Sequence, residues 1–399
     1  MRVLAVMPGI SPSTVINVMT PLKALHDRGD IEAVIRLEHE VTPSEVAAAD
    51  RLVLCRNQEP IYQPIYDLAR DLGIPMIYDL DDHLLGVPKG SLSYHYINHP
   101  ARKAQYERML RTADLVRVHS PVLRDLIRPY NPNVRLRWAA IDWSLVPPQL
   151  PPLSLDPVHI VYAAQRESGE KLYRLMQPDL HALLERHGDR VRLHFLGYNP
   201  PDLRGHRSVT CQPFEADYAT FFSRFTRFGY AIGLAPMLDD AFHNSKTNIK
   251  FRDYAAAGAA GIYADVPLYN TSVVDGETGL LVSNESGSWL AAIERLIDNP
   301  TLIESIRQNA RRFCEERYHM DTVGTLWLED LNDLPAPPPI AADKAAQIAA
   351  MRWWFTGIKQ QDKLHVARLR RVLRVIVPMR LKLAYYDLRY ALLRRRARR

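Results

Sequence analysis

A chain of 399 residues, 47% hydrophobic and 24% charged, has the composition of a globular protein of two or three domains. Its three cysteines, Cys55, Cys211 and Cys314, are too few and too scattered for a disulfide framework or a Cys-x-x-Cys metal site, and they suit a reducing compartment. The net charge of +6 hides an asymmetry: residues 351–399 hold 15 Lys/Arg against two Asp/Glu, a net of +13, which leaves 36 against 43, a net of −7, over the first 350.

The opening MRVLAVMPGI is too short in its apolar run for a signal peptide and meets Pro8-Gly9 at once, so it reads as a buried strand ending in a turn. No apolar run reaches the roughly 18 residues a membrane-spanning helix needs, which predicts a soluble or peripheral protein. Further short apolar runs follow as EAVIRL, RLVLC, PMIYDL and DLVRVH, with amphipathic segments at 60–72 and 101–112 between them. The proline-rich VPPQLPPLSLDP at 146–157 excludes helix and central strand. Beyond it the alternation resumes with HIVYAA, VRLHFLG, YAIGLAP and AGIYAD, until a second proline-rich stretch, LPAPPPI, at 334–340. Strands alternating with helical segments predict parallel sheets covered on both faces. The expected organisation is therefore two tandem Rossmann-like, doubly wound α/β domains facing a cleft, over 1–145 and 157–333, and a basic helical tail over 341–399. Ligands of such sheets bind beyond the carboxyl ends of the strands.

Two loops at predicted strand ends concentrate chemistry. In YDLDDHLLG, Asp79 and Asp81 would share one face of a strand, and Asp82 and His83 follow at once. Three ionisable groups at one strand end exceed what a helix cap needs, which makes Asp81, Asp82 and His83 candidate catalytic residues. Asp79 and Arg56, the latter ending RLVLCR, are candidates on the acceptor side, although Arg56 could simply pair with these acids. An N-cap cluster is the structural alternative.

The second loop is HNSKTNIKFRDYAAAG. Lys246 and Lys250 would lie on one helical face if the helix began near Asn244 or Ser245, either of which can cap it. Free N–H groups at a helix N-terminus, joined by two lysines, make a diphosphate site, and Asp253 could accept from ribose hydroxyls. The small alanines and Gly258 would let this helix lie close to the sheet. On spacing alone, a surface helix with solvated lysines is the alternative.

The segments KTNIKFRDYAAAG, VPLYNTSVVDGETGLLV and WLAAIERLIDNPTLIESIRQNARRF resemble the nucleotide-binding half of a GT-B glycosyltransferase of the family 4 type. They are most similar to the bacterial polysaccharide and O-antigen transferases with the pattern FN-x-x-KS-x-x-K-x-x-EY-A-A-x-G. ADRLVLCRN, IPMIYDLDDHL and TADLVRVHSPVL extend the resemblance over most of residues 1–331. It implies that Lys246 and Lys250 contact a donor diphosphate and that Asp253 stands for the second Glu of an E-x7-E motif. The first Glu would fall at Ser245 and is absent, so Asn244 or Ser245 would take its contact to the transferred sugar. Arg166, in AAQRESGE, matches a loop facing the donor phosphates, and Asp81 occupies the place of a cleft His.

The chemistry implied is transfer of a sugar from a nucleotide-diphosphate sugar with retention. The leaving diphosphate itself takes the acceptor's proton, with no metal and no cofactor beyond the donor as co-substrate. A non-catalytic binding or scaffold subunit and a sugar-nucleotide epimerase are the rival expectations.

In the tail, apolar residues recur at 366, 369, 373 and 376, and after Pro378 at 379, 383, 386, 390 and 393, with arginines between. A basic amphipathic pair preceded by Trp353, Trp354 and Phe355 predicts docking on an anionic membrane surface or an acidic protein. Nucleic acid is disfavoured, because the body carries no nucleic-acid module. A lipid-linked saccharide acceptor at the cytoplasmic face of the membrane would fit this.

Overall fold

A computed structural model of the protein describes residues 1–89, 91, 94–164, 166–353, 355 and 388. The chain forms two compact units. The first comprises Met1–His119, Arg124–Arg137 and the described residues from Gly324 onward; the second comprises Ser120–Leu123 and the described residues of Trp138–Val323.

The first unit is built on six parallel strands, β1 (Arg2–Met7), β2 (Glu32–Leu37), β3 (Arg51–Cys55), β4 (Met76–Leu80), β5 (Leu115–Val118) and β6 (Val134–Leu136), in the order β2-β1-β3-β4-β5-β6. The central strands β3, β4 and β5 are buried along their whole length, largely apolar and covered on both faces, and the charged residues they carry, Arg51, Asp79 and Arg117, are buried with them. The second unit repeats the plan with β7 (Val158–Ala163), β8 (Val191–Leu196), β9 (Val209–Gln212), β10 (Ile232–Ala235), β11 (Ala260–Ala264) and β12 (Leu280–Val282), in the order β12-β11-β10-β7-β8-β9. All its pairings are parallel too. Strand order reverses between β1 and β3 in one sheet and between β7 and β10 in the other. These are the switch points at which doubly wound sheets open a crevice for ligands.

Both units thus have the Rossmann-like form expected, with three strands added. The strands not anticipated, β6, β9 and β12, all lie at sheet edges and are three or four residues long. Short, half-exposed edge strands need no unbroken apolar run.

The proline-rich stretches form no helix or strand, but neither is a free linker. Residues 146–157 belong to the second unit, where Arg311 donates to the Pro147 carbonyl at 2.8 Å and Arg307 to that of Pro151 at 2.6 Å. Residues 334–340 belong to the first unit, where Arg51 donates to the carbonyls of Leu331 and Leu334 at 2.8 and 2.5 Å. Proline lacks a donor but keeps its carbonyl, so buried arginines can pin a proline-rich segment to a core. The chain passes between the two compact units at residues 119/120, 123/124, 137/138 and 323/324.

The first unit also holds a buried charge network. Asp330, fully buried on the helix Met320–Asn332, accepts from Arg117 at 2.5 Å, Arg135 at 2.9 Å, and Arg137 at 2.6 and 2.9 Å. The Arg117 guanidinium lies 3.5 Å from the ring centroid of Trp327. Among the described residues no helix is long and apolar enough to cross a membrane. Most of the tail lies outside the described residues, so its expected amphipathic helices do too.

Candidate functional site

The helix behind β10 carries the densest constellation in the second unit. It spans Ile249–Ala257, and all residues from Phe251 to Ala257 are buried. Two features let it lie so close to the sheet. Its Tyr254 ring packs on Gly233 of β10, where a Cβ would come within 2.6 Å of that ring. At its end Gly258 adopts φ +68°, the left-handed conformation that closes a helix and favours glycine.

The helix begins later than the spacing suggested. Ala241–Asn244 is a short helix of its own with Ser245 as its C-cap, and Asn248 is the N-cap of the longer helix. Lys246 and Lys250 therefore do not share one helical face. Lys246 lies in the connection, its ammonium 4.3 Å from the centroid of the Phe242 ring. Lys250 lies in the first turn of the longer helix, where no side chain caps the N-terminus. The Asn248 amide is engaged elsewhere, donating to Ser272 and Tyr318 at 2.9 and 2.8 Å. An uncapped first turn leaves backbone N–H groups for an anion.

Lys250 and Asp253 face each other one turn apart, Nζ to Oδ2 at 3.8 Å, with the Lys250 side chain 25% exposed and that of Asp253 5%. Burial pushes the Lys250 ammonium below its ordinary pKa, against the pull of Asp253. Burial likewise pushes the Asp253 carboxyl up, against Lys250 and Arg252. The Tyr218 hydroxyl, from the helix Tyr218–Arg227, also hydrogen-bonds Asp253; nothing in the sequence marked it, because that helix lies far earlier in the chain.

Of the two residues expected to replace the missing Glu, Ser245 is fully buried and its hydroxyl donates to the Phe242 carbonyl at 2.7 Å. Asn244, 6% exposed, donates through Nδ2 to Asp239 at 2.6 Å. Arg166 opens the helix Arg166–Arg174 after β7, beside β10 at the switch point; its side chain lies outside the described residues.

In the first unit, Arg56, Asp81, Asp82 and His83 come together at the carboxyl ends of β3 and β4. Arg56 Nε lies 2.8 Å from Asp81 Oδ1, and its Nη2 pairs with Asp82. Arg56 is the only non-glycine residue described with a positive φ, +58°. Such backbone conformations cost about 1–3 kcal/mol and persist where surroundings over-determine them, often at functional sites. Burial would lower the Arg56 pKa, but the two aspartates outweigh it and hold the guanidinium charged. Burial holds the His83 imidazole below its ordinary value.

Asp79 does not share an open face with Asp81. Strand β4 ends at Leu80, and Asp79 is fully buried, accepting from His119 Nε2 at 3.0 Å and Arg117 Nε at 3.3 Å. Through Arg117 it joins the Asp330 network inside the unit. Among the described residues no three His, Cys, Asp or Glu side chains converge as a metal site would require.

No family model and no curated protein matches the chain. Solved structures do. Anabaena HepE, solved in complex with UDP-glucose, superposes with a TM-score of 0.59 at 14% identity, covering 84% of this chain and all of HepE. A sucrose-phosphate synthase from Thermosynechococcus elongatus gives 0.60 at 12% identity, covering 84% of this chain and 99% of its own. OtsA without ligand gives 0.56 at 13% identity, covering 84% and 100%. The shared architecture is the GT-B glycosyltransferase fold of two Rossmann-like domains.

Proposed function

We propose that this chain is a glycosyltransferase that moves a sugar from a nucleotide-diphosphate sugar to a saccharide acceptor. The observation that carries the reading is the Lys250–Asp253 pair, one turn apart at the start of an uncapped, buried helix that follows β10 at the β7/β10 switch point. Lysine charge and helix N–H groups stabilise the negative charge that grows on a departing diphosphate, and they do so best where water is excluded. Lys246 and Lys250 are assigned to the diphosphate, Asp253 to the ribose hydroxyls, and Arg166 to the donor phosphates. HepE, of the same fold, was solved with UDP-glucose, which makes a nucleotide-sugar donor the first class to test here.

In this reading Asp81, Asp82 and His83 orient the acceptor hydroxyl or stabilise positive charge developing on the sugar, and Arg56 fixes the aspartates. Transfer proceeds with retention as in family 4, and the diphosphate takes the acceptor's proton, so the chain needs no base of its own. The acceptor is a lipid-linked saccharide of cell-surface polysaccharide or O-antigen synthesis. The basic tail, carrying net +13 over 351–399, holds the protein on the cytoplasmic membrane face or against an acidic partner.

The test is diphosphate release from a panel of nucleotide sugars, with and without lipid-linked saccharides extracted from membranes. Acceptor-dependent release supports transfer. Conversion of the donor to an epimer without acceptor would establish the epimerase instead, and binding without turnover the scaffold subunit.

A further inference from the structure

The aromatic residues at the root of the tail face inward. Phe355 is fully buried and Trp353 is 8% exposed. Their rings stack with centroids 5.2 Å apart, and the Phe355 ring meets that of Tyr62 edge-on at 5.1 Å. Tyr62 ends the short helix Pro60–Tyr62 and is itself buried. Trp353 and Phe355, which the sequence suggested for a membrane surface, are therefore engaged within the first unit. Trp354 lies outside the described residues.

The chain reaches this contact by crossing the first unit from one end of its sheet to the other. At the amino-terminal end, Arg51 of β3 holds the carbonyls of Leu331 and Leu334. Pro338 packs on Gly73, where a Cβ would come within 2.8 Å of its ring, and Lys344 donates to the Asp71 carbonyl at 3.3 Å. Asp71 and Gly73 lie between the end of the helix Gln63–Asp71 and the start of β4. The helix Ala342–Ala350 then packs on the helix Pro43–Ala47 and buries Ile348. Phe355 closes on Tyr62, between the carboxyl end of β3 and the start of the helix Gln63–Asp71. The crossing covers the length of β3, about 17 Å, and ends where doubly wound sheets bind ligands.

The charge of the tail therefore starts at the ligand end. Beyond Phe355 the sequence carries 14 Lys/Arg against two Asp/Glu, a net of +12, beginning at Lys359. The four residues from Phe355 to Lys359 span at most about 14 Å. Two exposed apolar side chains lie at the same end: Ile10, 65% exposed on the loop after β1, and Met351, 41% exposed, two residues before Trp353. An anionic bilayer takes up cations at its headgroups and apolar side chains just below them, so it fits this pairing better than an acidic protein does.

We propose that Trp353 and Phe355 form an internal latch that roots the basic tail at the carboxyl end of the first sheet, so that this end of the unit, with Arg56 and Asp81, meets an anionic membrane surface. An acceptor held in the bilayer by its lipid is then presented directly to that end. The inference rests on the membrane reading of the tail given above and is independent of the donor site.

The test is fluorescence quenching of the full chain on vesicles of equimolar phosphatidylglycerol and phosphatidylcholine that carry a nitroxide-headgroup lipid. Cys211→Ser removes the exposed native thiol, since Cys55 and Cys314 are buried. In that background a fluorophore is attached through Gly9→Cys, at the ligand end where the space is open, or through Asp27→Cys, at the opposite end where the helix Thr20–Asp27 finishes. The lipid should quench the first label and leave the second unquenched, and high salt should abolish the effect. Phe355→Ala keeps the charge of the tail, so vesicle affinity stays within about threefold of wild type while the difference between the labels is lost. Trp353→Ala, which strips the stacked partner from Phe355, carries this arm if Phe355→Ala does not fold. Equal quenching of both labels with the latch intact overturns the proposal, as does a difference that survives the loss of either aromatic residue. A chain that does not bind the vesicles removes the membrane reading of the tail, and this inference with it, whatever nucleotide it binds.

Discussion

Replacing Asp330 with Asn would test how the first unit is held together. Asp330 is fully buried and accepts four hydrogen bonds from three arginines, of which Arg117 is itself fully buried. The amide keeps the shape but removes the charge, and it turns one acceptor into a donor facing a guanidinium. Arg117 is left with Asp79 alone for charge compensation. Breaking a buried ion pair from one side costs about 3–5 kcal/mol. With a urea dependence of about 2 kcal/mol per molar, the unfolding midpoint of this unit should fall by about 1.5–2.5 M. Glu329→Ala is the control: Glu329 lies beside Arg137 at 3.5 Å but is 51% exposed, and its loss should change stability by less than about 0.5 kcal/mol. The pH dependence has a definite sign. Burial would raise the Asp330 carboxyl, but hydrogen bonds from Arg137 and the charge of Arg117 win and hold it low. Its contribution is thus present above the unfolded carboxylate pKa of about 3.9 and is lost as pH falls below that. Urea unfolding followed by circular dichroism gives the answer. A D330N midpoint within about 0.5 M of the control would refute the network as a major support.

In the second unit His159 Nδ1 and His194 Nε2 lie 2.8 Å apart, and burial lowers both, His194 to about 4. Their folded pKa values lie below the unfolded value of about 6.5, so stability present above pH 6.5 is lost as pH falls toward 4. The melting temperature should drop from pH 7 to pH 5, and His194→Phe should flatten the slope; equal slopes would contradict the assignment. Gly233→Ala would push a Cβ within 2.6 Å of the Tyr254 ring, displacing the candidate donor helix. A loss of about 1–3 kcal/mol by denaturation is expected, against no change for Gly9→Ala, where the space is open. Diphosphate affinity should weaken as pH rises through the depressed Lys250 pKa, and titrations from pH 7 to pH 10 would show it; a flat profile would remove Lys250 from the site.

The central strands were legible because strands buried on both faces are dominated by apolar runs, as in LVLC and MIY, even where a buried Arg51 or Asp79 joins them. The edge strands were not, since nothing forces their composition. Lys246, Lys250 and Asp253 could be picked out by spacing, but the start of their helix could not. Asn244, Ser245 and Asn248 are all plausible caps, and tertiary contacts to Ser272 and Tyr318 decide how Asn248 is used. Asp79 looked like a partner for Asp81 because strand alternation puts them on one face. Its real partners are Arg117, opposite it on the neighbouring strand β5, and through Arg117 the Asp330 of a distant helix, neither of which local sequence connects to it. The left-handed backbone of Arg56 was invisible for a related reason: arginine does not favour it, and the surrounding fold imposes it.

Nucleotide binding by the loop and helix after β10 is the claim on which the functional account stands. The direct measurement is thermal shift of the full chain with UDP, GDP, dTDP and ADP, alongside Lys250→Ala and Asp253→Ala. A ligand at 100 times its dissociation constant stabilises by about 2.7 kcal/mol, well within reach of the method. The account predicts that one base stabilises the wild type and that both variants lose the response. A protein that responds to none of the four, or variants that respond like wild type, would contradict it.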